Sequence, residues 1–365
     1  MSNTSPELSA KREQLKRQLA TGKDRTLAAL IFFKAGRIVG LLTRRHKPVP
    51  WYYGAIFIGL ILLLAFPLVL APVDKTNQKE VLQGIVGVLF MYQCLIGTSA
   101  AYWFMGWTFG KIRDHVIDHI VSEDDLTDLK NWLADTGSVR KSLSFVVVLG
   151  IAWGLFSTVS GGATQGRSII STVGPYLYGL FIMVPVYYIW MVLRLPPRLG
   201  RYRFSLNKFD PANSEVISHL AQLLNRGSFI IAVFSAISTL MVGLTIIALA
   251  RGWWLSVGPI LAGWIPVLIL FISTQSAFRK IVTTAKRSTL NELQAQIDKL
   301  LTAADLANKE TQEAITRLMD LYERIKATPN STFTVLTGLG VLKDLLLPVL
   351  ASVLTNYEQL RKLLP

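Results

Sequence analysis

An all-α polytopic membrane protein is the fold class this sequence predicts. It reads as six transmembrane helices arranged as three hairpins, with an amphipathic helix before them and a cytoplasmic coiled coil after them. Three observations carry this. The chain of 365 residues is only 17% charged and 51% hydrophobic, with a mean hydropathy of +0.42, whereas a soluble chain is about 25% charged. Its charges are absent from six stretches: 51–71, 81–107, 142–160, 170–193, 228–250 and 255–277. Its basic residues alternate from one connection to the next. Such partitioning excludes a soluble enzyme and a fibrous protein, and the single cysteine, Cys94, excludes a disulfide scaffold.

Each charge-free stretch approaches or exceeds the roughly 20 residues needed to cross about 30 Å of hydrocarbon. The first 50 residues are polar and basic and lack the apolar core of a signal peptide. Orientation follows from lysine and arginine near the span ends. Residues 1–50 hold eleven, 108–141 five, 194–227 six and the chain after 277 twelve, while the three other connections hold only Lys75, Lys79, Arg167 and Arg251. Both termini are therefore expected in the cytoplasm, and an inside N terminus without a leader suits a bacterial inner membrane. Trp51, Tyr52, Tyr53, Trp103, Trp107, Trp253 and Trp254 stand at span ends, where amphipathic rings anchor at headgroup depth.

Residues 1–50 form a basic segment. Within it Leu27–Thr43 is apolar but interrupted by Lys34 and Arg37, with Arg44, Arg45 and Lys47 following. This pattern predicts an in-plane helix on an anionic cytoplasmic leaflet, each basic residue adding roughly 1 kcal/mol. The same placement of charge at span ends explains the net +15 without a nucleic-acid partner.

Residues 51–277 form the transmembrane domain, and no Asp, Glu, Lys, Arg or His lies in its spans. That argues against proton-coupled pumping, voltage sensing or an intramembrane metalloenzyme, all of which need ionisable groups at depth. Polar and backbone-breaking residues remain. Gln93 and Thr98 lie in span 2 and Gln275 near the end of span 6, while Pro259 and Pro266 interrupt span 6. They are candidates to line a pore, or to kink and pin a packed bundle. Gly150 and Gly154 of span 3 form a GxxxG pattern that lets helices approach closely.

The loop 108–141 carries the one hint of coordination chemistry. On a helix continuing from span 2, His115 and His119 share a face, with Asp118 beside them, and that is adequate metal-ligand spacing. The arginines of loop 194–227 could equally bind phosphate or simply mark the inner side, and Asp210-Pro211 should open an amphipathic helix.

Residues 278–328 carry a heptad. Leu290, Leu293, Ile297, Leu300, Ala304, Ala307, Thr311, Ala314, Leu318, Leu321 and Ile325 recur three and four apart. One long helix could pair between subunits, or two helices could break near Asn308 and fold back. Thr328-Pro329 ends the pattern. Residues 329–365 are apolar again, but Lys343 and Asp344 sit mid-segment, which favours an interfacial or re-entrant helix over a seventh span.

No motif orders a nucleophile, a P-loop or a zincin helix, and no cofactor is expected. The functional expectation is a homo-oligomeric channel or pore assembled through 290–325. Alternatives are a membrane-anchored adaptor recruiting a cytoplasmic partner and, third, a lipid-handling transporter or enzyme resting on the two histidines.

Overall fold

The computed structural model describes residues 6–43, 50–70, 78–159, 169–249, 254–303 and 309–328. Those residues are all-helical. The only sheet-like feature among them is an isolated antiparallel bridge between Ile120 and Phe204. The helices are α1 (Pro6–Gly22), α2 (Leu27–Leu42), α3 (Trp51–Leu70), α4 (Gln78–His115), α5 (Glu123–Gly137), α6 (Val139–Val159), α7 (Ile169–Leu193), α8 (Leu195–Leu199), α9 (Glu215–Leu249), α10 (Trp254–Ala303) and α11 (Lys309–Ala327).

Among the described residues, five helical stretches are long and apolar enough to cross a membrane: Gly84–His115, Val139–Phe156, Val173–Leu199, Glu215–Thr239 and Gly263–Thr302. The chain is thus a multi-pass membrane protein by length and composition. α3, 20 residues without a charge, covers the expected first span, and its apolar stretch among the described residues is Trp51–Ala65. Exposed Ile56, Leu60, Ile61, Leu63 and Leu64 on α3, and Val148, Leu155 and Phe156 on α6, are the surface that lipid would cover.

Three helices are much longer than their charge-free cores. α4 has 38 residues, α9 35 and α10 50, or about 57, 52 and 75 Å at 1.5 Å per residue. Each overshoots at the same end, the one rich in basic residues, called here the basic side. The amphipathic helix expected to open at Asp210-Pro211 is accordingly not separate. Pro211–Asn213 forms one 3-10 turn, capped by the Asp210 carboxylate accepting from the Asn213 amide, and α9 then runs without a break into the bundle.

On the basic side a cap closes over these overshoots. α1 was not foreseen, yet it buries Leu8, Leu15 and Leu19 against α4 and α5. Its polar residues hold the turn after α4: Lys11 pairs with Glu123, Lys16 with Asp118 at 2.9 Å, and Arg12 donates to the Ile120 carbonyl. α2 begins where Thr26 accepts from the Ala29 amide. Its buried face (Ala28, Ala29, Phe32, Gly36) packs on α3 so closely that a side chain at Gly54 would fall on the Phe32 carbonyl. Its other face exposes Leu30, Lys34, Arg37, Ile38 and Leu41. Arg44, Arg45 and Lys47, expected to extend that basic face, lie outside the described residues, as does the apolar tail 329–365.

Several basic residues of the arginine-rich loop make structural contacts. Arg198 pairs with Asp128 at 3.7 Å, and Tyr202 donates to the same carboxylate at 2.8 Å. Burial, with Asp128 alongside, pushes the Tyr202 phenol above its ordinary pKa. Lys208 meets Glu292 of α10 at 2.9 Å, and Arg194 lies over the Trp190 ring.

The heptad resolves as a fold-back. α11 returns along α10, and the Lys286 ammonium donates to the Lys326 and Thr328 carbonyls at 2.8 and 2.7 Å. Leu293 and Ile325 are buried between the two helices, whereas Leu301 and Met319 stay exposed.

Candidate functional site

The polar residues of the spans converge on one seam, between α4 and α9. The two helices run antiparallel: residue numbers of three contacts along the seam add to 331, and those at its basic end add to 330–334. Gln93 donates to Ser238, a side chain at Gly97 would strike the Phe234 ring, and Phe104 packs over Gly227. At the basic end His115 meets Glu215 and His219. From Gln93 to His115 is 22 residues, about 33 Å of helix, so one seam spans the hydrocarbon thickness.

Near its far end the seam is polar. Gln93 is 4% exposed, and while its amide nitrogen reaches Ser238, its Oε1 is buried without a hydrogen-bond partner among the described residues. α9 is also tied to α10. Ser235 donates to the Gly263 carbonyl at 2.6 Å, within the turn that Pro266 interrupts, and Trp264 Nε1 donates to Thr239 at 3.0 Å. Further toward the basic side, the hydroxyls of Thr108 on α4 and Thr274 on α10 are buried without a partner among the described residues. An unmade hydrogen bond on a buried polar atom costs about 1–3 kcal/mol.

Between these ends the seam is apolar and imperfectly filled. A cavity of about 170 Å³ lies where α4, α7 and α9 meet, lined by Gly97, Ala100, Phe104, Pro185, Tyr188 and Gly227 among others. Small residues on α4 and α9 leave this space unfilled, and Pro185 of α7 lines it.

At the basic end the His115 and His219 rings stack, with centroids 3.7 Å apart and planes 21° from parallel. His219 Nε2 lies 3.4 Å from Glu215 Oε1, one helical turn earlier on α9. His219 Nδ1 is buried and has no partner among the described residues. Below this cluster Arg226 lies over the Trp107 ring at 4.7 Å, a cation–π contact joining the same two helices.

The metal-ligand expectation for the 108–141 loop needs correction in its membership. His115 is in the cluster, but His119 and Asp118 are not brought to it. α4 stops at His115 because the next residues leave the helix: Ile117 and Ile120, fully buried, turn into the core. Ile120 then pairs with Phe204, so His119 never occupies the following turn of the same face. Asp118 faces Lys16 instead. His219 and Glu215 were missed; only their four-residue spacing was available in sequence, and the partner histidine is 104 positions away.

The other expected residues divide in two. Thr98 is buried beside the seam, but its hydroxyl returns to the Cys94 carbonyl of its own helix at 2.8 Å. Gln275 is half-buried on α10, as is Pro266. Pro259 lies within α10, its side chain outside the described residues. Gly150 and Gly154 pack α6 against α7: a side chain at Gly150 would lie 2.9 Å from Leu180 backbone, and one at Gly154 would strike the Tyr176 ring. No family model, curated protein or solved structure matches this chain.

Proposed function

We propose that this protein forms a channel or pore, with α4, α9 and α10 supplying its polar lining. One observation carries the proposal. In a bundle whose spans lack charge, Gln93 Oε1, Thr108 Oγ1 and Thr274 Oγ1, buried without a partner among the described residues, all sit on α4 or α10 beside the α4–α9 seam. Leaving such atoms unpaired in a non-polar interior is costly. The cost is offset if water or a solute reaches them when the seam opens. A lining of hydroxyls and one amide suits a neutral solute or a weakly held ion.

The proposal includes assembly of several copies. The fold-back of α11 on α10 occupies Leu293 and Ile325, so contacts between copies would use the remaining faces, where Leu301 and Met319 are exposed. The exposed face of α2, with Lys34 and Arg37 among leucines and isoleucines, would rest on an anionic cytoplasmic leaflet. No catalytic role is proposed. A second reading, an adaptor, is favoured by the length of α10: about 39 Å of helix lies beyond residue 277, enough to hold a docking surface clear of the bilayer.

Reconstitution into planar bilayers and solute-loaded vesicles tests the channel. Conductance or solute release should appear with the wild type and fall at least tenfold in Gln93→Leu and Thr274→Val, with the melting temperature little changed. Folded protein that forms defined oligomers yet never conducts, across varied tension, pH and divalent ions, would sink the channel and leave the adaptor ahead.

A further inference from the structure

We infer that His115, Glu215 and His219 form a binding site for a first-row divalent metal ion, Zn²⁺ in the first instance, which clips the basic ends of α4 and α9 together. The ligating atoms of all three side chains lie within 4.8 Å of one another. They come from two helices: His115 is the last residue of α4, while Glu215 and His219 occupy the first two turns of α9, four residues apart on one face. Two of the chain's four histidines, distant in sequence, are thereby brought into ring contact.

The donor set selects the ion. Two imidazole nitrogens and one carboxylate oxygen suit Zn²⁺, Co²⁺ or Ni²⁺, whereas Mg²⁺ and Ca²⁺ require oxygen ligands throughout. A bound Zn²⁺ holds its nitrogen ligands at about 2.0–2.1 Å. The ligating atoms must therefore draw in somewhat, and the near-parallel rings must tilt toward one another. Glu215 is exposed and His115 half-buried, so side-chain rotation can accomplish this without moving either helix. Three protein ligands leave a position for water or a solute group.

A second observation points to a ligand here. His219 Nδ1 is buried without a hydrogen-bond partner among the described residues. An imidazole with Nε2 beside Glu215 and Nδ1 idle gains the missing partner when Nδ1 takes up a metal ion. The charged and titratable groups around His115 are Lys111 and Asp114 on α4 and His219 and Glu215 on α9. Protons compete with the metal for both imidazoles, so affinity falls as the solution is acidified.

The site stands apart from the channel proposal, and its test reads binding directly. Full-length protein in detergent, stripped with chelator, is titrated with Zn²⁺ calorimetrically and with Co²⁺ by its visible absorption. The expected result is one ion per chain, a melting temperature raised by Zn²⁺, affinity lowered at least 100-fold by His115→Ala or His219→Ala and about tenfold by Glu215→Gln, and no change in His119→Ala. Should a histidine variant fail to fold, exposed Glu215→Gln and the pH dependence in wild type decide. Wild type that binds no Zn²⁺ at millimolar concentration, or histidine variants that bind as tightly as wild type, would overturn the site.

Discussion

Two helix seams in this molecule are built from similar small residues and differ in what fills the space between them. Where α6 meets α7, glycine faces backbone: a side chain at Gly150 would lie 2.9 Å from Leu180 backbone, and one at Gly179 would fall on the Gly150 carbonyl. Where α4 meets α9, Gly97 and Gly227 face the rings of Phe234 and Phe104, and a cavity remains beside them. Around Gly150 and Gly179 the first seam is a backbone contact with little freedom to adjust, while Gly154 faces the Tyr176 ring. The second is a side-chain contact with spare volume and polar ends. Helices that touch through backbone move as one body, whereas those held apart by rotatable rings can slide or part at modest cost.

The sharpest way to break this comparison is to add one methyl to each seam. Gly150→Ala and Gly179→Ala should each destabilise by about 3 kcal/mol, because only backbone displacement relieves the overlap. Gly97→Ala and Gly227→Ala should cost under about 1.5 kcal/mol, since a phenylalanine ring can turn away. Melting temperatures of the four purified variants decide; equal losses on both seams would erase the distinction.

Filling the cavity sharpens it further. Ala100→Val adds two methyl groups toward vacant space and should stabilise by about 1 kcal/mol, seen as a melting temperature higher by a few degrees. If the seam is a conduction path, the same variant should conduct less while being more stable. A less stable Ala100→Val would show that the cavity is already occupied or closes readily.

The smallest effect concerns the cap that holds the basic end of α4. The Lys16 ammonium is held above its ordinary pKa chiefly by its hydrogen bond to Asp118. A raised lysine pKa contributes stability that is complete below the unfolded value and is lost as pH rises through the higher folded one. Lys16→Met should therefore lower stability by about 0.5 kcal/mol near neutral pH, less in high salt, and not at all at strongly alkaline pH. A melting-temperature series over pH and salt, wild type against variant, measures it.

The membrane class was readable because charge-free runs of the right length have no other common cause, and the five strongly apolar helices lie where those runs are. The lengths of α4, α9 and α10 were less so: charge marks where a bilayer must end, but nothing in it obliges a helix to stop there. α1 was hidden by its lysines and arginines, although Leu8, Leu15 and Leu19 already traced one helical face. The heptad showed that two faces would pair and left open that the partner is the same chain. Of the metal cluster, His115 was visible and its partners were not, because His219 reaches it only through the antiparallel register of α4 on α9, a tertiary property that local spacing does not encode.

That register also sets an order in time. α4 is synthesised long before α9: His219 follows His115 by 104 residues, and Ser238 follows Gln93 by 145. At about 5–20 residues per second, Gln93 of α4 waits roughly 7–29 s for Ser238 of α9 to be made. When α9 arrives, its histidine end emerges first, and each later contact closes a longer loop than the one before. Assembly of the seam is thus a zipper started at the basic end, and a metal ion captured there would be its first tooth.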